Sequence, residues 1–148
     1  MPIADLIPIL QMAVGPVILI SGVGLLLLSM TNRYGRVIDR ARGLSEAIRR
    51  GGAAERERLS GQLEILARRA RLVRLAITLA SSSVLFASLL IIALFVAALL
   101  RLELGVFVAL LFIACMGSLI ASLVVFIADI NVSLSALRLE MPFEADRR

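Results

Sequence analysis

A chain of 148 residues that is 60% hydrophobic, with a mean hydropathy of +0.98, carries more apolar surface than a soluble domain of its size can hide; ordinary soluble domains are about 45–50% apolar. The net charge is +5, and all sixteen basic residues are arginine, with no lysine and no histidine. Such a balance often points to nucleic acid, but here the apolar runs set nucleic acid aside in favour of anionic lipid headgroups. The single cysteine, Cys115, excludes an internal disulfide and, with no histidine beside it, a zinc site.

The first apolar run covers residues 6–31, with Gln11 its one strongly polar interior residue. About 20 apolar residues in a helix cross a bilayer core, so this run predicts transmembrane helix 1. Nothing before it resembles the positive n-region of a signal peptide, so it reads as a retained span. Pro8 lies near its start, whereas Pro16 lies inside and predicts a kink. Gly15, Ser21, Gly22 and Gly24 keep the helix thin, which lets a neighbouring helix approach.

Residues 32–74 hold twelve of the sixteen arginines and five acids, a net charge of +7. The segment is nevertheless periodic. Val37, Ala41, Leu44 and Ile48 are spaced 4, 3, 4; Leu59, Leu63, Leu66, Ala70 and Val73 are spaced 4, 3, 4, 3. Both are seams of the kind that pair helices into coiled coils. Gly51 and Gly52 separate them, so the expectation is an antiparallel helical hairpin with its turn at 51–52. Glu46 with Arg50 and Glu64 with Arg68 are acid-before-base pairs at i,i+4 that support the two arms.

Residues 75–100 contain no charge and predict transmembrane helix 2, continuous with the second arm from about residue 54. A short connection around Arg101 and Glu103 leads to transmembrane helix 3 over residues 104–128. There Ala114, Ser118 and Ser122 recur every fourth residue, a small-residue pattern for close helix contact, within one chain or between subunits. Residues 129–148 form a tail. Ile130, Leu134, Leu137 and Met141 fit a helical face, while Val132 and Leu134 also alternate like a strand. The fold class is therefore an all-α membrane protein with three transmembrane helices and a hairpin between helices 1 and 2.

Arginine placement sets the orientation. The hairpin carries twelve and the tail three, Arg138, Arg147 and Arg148, against Arg101 alone on the other side. The positive-inside rule places hairpin and C-terminus in the cytoplasm and the N-terminus outside.

The stretch Thr31-Asn32-Arg33-Tyr34-Gly35-Arg36-Val37-Ile38-Asp39-Arg40-Ala41-Arg42, with Arg68-Arg69-Ala70-Arg71-Leu72 and the closing segment 126–139, resembles the bacterial family called domain of unknown function 2721. The likeness covers nearly the whole chain. It implies a bacterial inner-membrane protein and brings no activity with it.

Two groups of residues stand out as candidate sites. Asn32, Arg33, Arg36, Asp39, Arg40 and Asp129 gather at the ends of helices 1 and 3. Arg33, Arg36 and Arg40 share a helix face. Asp39 can reach Arg36 or Arg42, and Asp129 is expected to pair with Arg33 or Arg36, tying the third helix to the first. Arg68, Arg69, Arg71 and Arg74 ring the start of helix 2, where they meet lipid headgroups or simply set topology. Gly15, Gly22, Ala114, Ser118 and Ser122 are the helix-packing candidates. No nucleophile has a base beside it and no phosphate loop has its strand and helix, so catalytic, cofactor and metal residues are all expected to be none, and the chain is expected not to be an enzyme. The leading functional expectation is a homo-oligomeric structural or interaction protein whose hairpin engages anionic lipid or an unidentified protein partner. The alternative is an oligomeric ion channel, with Gln11, the helix-2 serines or residues 31–33 facing a pore, or a subunit of a transport complex.

Overall fold

The computed structural model describes residues 3–140, with side-chain surroundings for residues 7–52, 56, 57 and 59–131; the expectations on Arg138, Met141, Arg147 and Arg148 lie outside those described positions. Three helices account for nearly all of it: α1 (Ile3–Arg50), α2 (Ala53–Leu100) and α3 (Gly105–Glu140). Each contains a stretch long and apolar enough to cross a membrane. No strand occurs among the described residues.

Helix α1 runs unbroken through Pro8 and Pro16 and ends with Arg49 and Arg50 in its last turn, where cations complement the helix dipole. Arg50 also pairs with Glu46 one turn back. The break at Gly51 and Gly52 is short: the Gly51 N–H still donates to the Ala47 carbonyl (2.9 Å), and the Arg56 N–H opens α2 by donating to the Gly52 carbonyl (3.0 Å). Neither glycine takes a positive φ, so the break does not draw on the left-handed freedom of glycine. Left-handed backbone appears instead at Arg101, with φ of 52°. The Leu102 N–H donates to the Ala97 carbonyl (2.9 Å), the 6→1 bond that closes a Schellman cap on α2. Helix α3 then starts on the bond from the Val108 N–H to the Leu104 carbonyl (3.0 Å). It does not stop at 128. It continues through Asp129 to Glu140, which settles the helix-or-strand alternative up to that residue in favour of helix.

The chain divides into two units. One comprises Met1–Ser29 and Ile77–Ser122. Its buried residues are small: Ala13, Val23, Ala80, Ser83, Ala87, Ala93, Cys115 and Ser122, with Leu90 the largest. Helices α2 and α3 meet there through polar side chains as well as apolar ones. The Ser118 hydroxyl donates to the Leu79 carbonyl (2.7 Å), and the Cys115 thiol donates to the Ser83 carbonyl (3.3 Å). Ser118 and Ser122 therefore serve a contact within one chain, and the buried face runs through Cys115 rather than Ala114, which is only half-buried. Gly15 and Gly22 are exposed, and a Cβ on either would meet no atom within 4 Å. Gly15 lines a cavity with Ala87, Leu90 and Phe112 of the other two helices.

The second unit comprises Met30–Ala76 and Leu123–Arg148. Met30, Val37, Leu66, Val73, Ala76 and Asp129 are buried in it. Ala41, Leu44, Ile48, Leu59, Leu63 and Ala70 are half-buried, while most residues between them are exposed.

Candidate functional site

A carboxylate bracketed by arginines lies in the second unit. Asp129 of α3 is fully buried, with no accessible surface. An isolated ionised carboxylate there would cost several kcal/mol in lost hydration, so burial requires cationic partners. Two helices supply them. Arg33 Nε of α1 stands 3.0 Å from Asp129 Oδ2, and Arg69 Nε of α2 stands 3.5 Å from Oδ1. One carboxylate thus joins all three helices. The Arg33 guanidinium also lies over the Phe126 ring, 5.7 Å from its centroid, a cation–π arrangement that holds the planar group in place. Phe126 precedes Asp129 by three residues, so the ring and the carboxylate share a face of α3.

Beside this ion pair is a cavity of about 270 Å³ lined by Arg33, Arg36, Val37 and Arg40 of α1 and by Leu66 and Arg69 of α2. At 3.6 residues per turn, the four α1 residues fall within an arc of about 100°. Val37 and Leu66 are buried and give the cavity an apolar wall. Arg36 and Arg40 are exposed and take part in no ion pair among the described residues.

The candidate residues therefore separate. Arg33, Arg36, Arg40 and Asp129 come together. Asn32 and Asp39 do not: both are exposed, and Asp39 forms no ion pair with Arg36 or Arg42. Its place on α1, about 120° around the helix from Arg33, turns it away from the cavity. Among the arginines at the start of the second span, Arg68, Arg71 and Arg74 are exposed, whereas Arg69 turns inward to Asp129. Arg69 and Phe126 were not among the candidate partners of Asp129. Arg69 sits three residues after Leu66 and four before Val73, a seam spacing that could have singled it out.

A second cavity of about 250 Å³ lies in the first unit, lined by apolar residues including Pro16, Leu19, Leu90 and Phe112. Among the described residues no group of three metal-ligating side chains converges.

An all-helical chain with three helices long and apolar enough to span a bilayer has the build of a multi-pass membrane protein. Within that class, the model of a family described as protein of unknown function (DUF2721) matches residues 13–139, and the chain belongs to that family. No curated protein and no solved structure matches it.

Proposed function

We propose that the chain is a homo-oligomeric structural or interaction protein of a bacterial inner membrane, without enzymatic activity, whose arginine-rich hairpin faces the cytoplasm and engages anionic lipid. The observation that carries this reading is the outward display of the arginines. Arg36, Arg40, Arg42, Arg49, Arg50, Arg68, Arg71 and Arg74 are all exposed, while Arg33 and Arg69 are committed to Asp129. Juxtamembrane arginines each favour an anionic surface by about 1 kcal/mol. The half-buried seams on either side of Gly51 and Gly52 support two paired arms, and the excess of arginine there supports a cytoplasmic location. Exposed Gly15 and Gly22 on an apolar helix support association between copies, since small residues let helix backbones approach.

The pore reading has less support. In α2 the Ser82 and Ser88 hydroxyls donate to the Thr78 and Val84 carbonyls of their own helix, and Ser83 is buried against Cys115. These serines do not form a polar row along one face.

Native mass spectrometry from mixed phosphatidylcholine–phosphatidylglycerol nanodiscs tests the proposal. The expected result is an oligomer retaining phosphatidylglycerol above its bulk fraction. A monomer retaining the two lipids in bulk proportion overturns it.

A further inference from the structure

The arginines of the second unit are not an even coat of charge. Four of them line one cavity, and one carboxylate, Asp129, answers them there. Among the described residues, four guanidiniums against one carboxylate leave an excess of three positive charges around a space of about 270 Å³. At about 30 Å³ per water, that space equals about nine waters, more than a phosphate group occupies. Arginine is suited to such a ligand: its planar fork presents paired N–H donors to two oxygens at once and keeps its charge at any working pH. The Asp129 ion pair holds Arg33 and Arg69 on two sides, and the buried Val37 and Leu66 exclude water from one wall. Arg36 and Arg40, one turn apart, are the arginines left to close on an anion.

We infer that this cavity is a binding site for a phosphate monoester dianion, with Arg36 and Arg40 as its principal ligands and Arg33 and Arg69 as fixed cationic walls. The excess of three charges favours a dianion over the single charge of a phosphodiester. The group is carried by a lipid headgroup such as phosphatidic acid or by a free phosphate; the chemistry recognised is the same. The inference rests on the reading of this arginine-rich segment as the anion-facing part of the chain.

The experiment uses two variants that remove equal charge. Arg36→Gln with Arg40→Gln removes the two cavity arginines that take no part in the Asp129 pairing and leaves that pairing intact. Arg56→Gln with Arg101→Gln removes two exposed arginines that neither line the cavity nor belong to the set assigned to lipid, each ten or more residues along the chain from Leu66. Full-length protein in phosphatidylcholine nanodiscs is titrated with dioctanoyl phosphatidic acid, dioctanoyl phosphatidylglycerol and inorganic phosphate, followed by calorimetry. The wild type should bind phosphatidic acid, inorganic phosphate or both saturably. The cavity variant should lose about tenfold in affinity per arginine, the scale of a charge-assisted hydrogen bond. The matched variant should change by less than about threefold, because ten or more residues, about 15 Å along α2, separate either arginine from Leu66, and charges beyond a Debye length of about 10 Å are screened. Binding of phosphatidic acid alone assigns the site to lipid; competition by inorganic phosphate assigns it to a free phosphate. Absence of saturable binding by either probe overturns the inference. So does equal loss in both variants, or phosphatidylglycerol binding as tightly as phosphatidic acid. Those failures remain separable from failure of the broader proposal: phosphatidylglycerol enrichment in native mass spectra tests that proposal and is unaffected by whether the cavity binds a monoester.

Discussion

At Asp129 a carboxylate of α3 meets guanidiniums of α1 and α2. It is buried without accessible surface, and its two oxygens face Arg33 and Arg69, whose side chains are about one-quarter and one-fifth exposed. Removing one member of a buried ion pair is costly chiefly because the remaining charge loses its compensation, a loss of about 3 kcal/mol. Asp129→Asn keeps the shape and discards the charge, leaving two guanidiniums facing each other. It should lower stability by about that amount in a detergent unfolding titration. An unchanged midpoint would show that the geometry contributes nothing net. Part of this site was legible beforehand. A lone acid ending an apolar run, with arginines at the end of another, is an arrangement that electrostatics narrows to few outcomes. The second partner was not legible, because Arg69 stands among Arg68, Arg71 and Arg74, and only its place beside Leu66 and Val73 distinguishes it.

At the scale of elements, the boundaries followed from charge and glycine. Helix α2 begins at Ala53, one residue from the expected start, and ends at Leu100 where the apolar run ends. The buried face of α2 within the apolar run was hidden. Ala76, Ala80, Ser83, Ala87 and Leu90 are spaced 4, 3, 4, 3 and are all buried. In a run where nearly every residue is apolar, such a seam has no polar contrast to reveal it; it is marked by small size instead. The turn into α3 was likewise unreadable, since nothing about Arg101 announces a left-handed residue. A non-glycine residue at such a helix end costs about 1 kcal/mol relative to glycine. Arg101→Gly should therefore raise stability by about 1 kcal/mol in the same unfolding assay, despite the loss of a charge. A decrease would mean that the side chain of Arg101 contributes more than its backbone strain costs.

For the molecule as a whole, the number of spans was legible from hydropathy, whereas the role of the small residues was not. Ser118 turns toward α2 and Ser122 is buried within the chain, whereas a side chain added at Gly15 or Gly22 would meet no atom within 4 Å. The same residue class thus serves two ends, and only geometry separates them. Gly22→Leu adds a side chain into open space, so it should leave unfolding of the isolated chain within about 0.5 kcal/mol, as for substitutions away from packed features. If copies associate through that face, the same change should shift single-molecule photobleaching counts in liposomes toward monomers. Unaltered counts would exclude Gly22 from any subunit contact.

The three-helix clamp also imposes an order on biogenesis. Arg33 and Arg69 leave the ribosome well before Asp129, so for part of synthesis both cations lack the carboxylate that later joins them. The partnership becomes available only when the third apolar helix has been made. A chain stopped near residue 120 would carry two spans and every arginine of the cavity, but no Asp129. Such a fragment should be cleared faster than the full chain in a pulse-chase measurement, and Asp129→Asn should shorten the full chain's half-life in the same direction. Equal half-lives would show that the cell does not sense the missing charge. With the half-lives shortened, Asp129 acts as a completion mark, satisfied only once the third helix has been made.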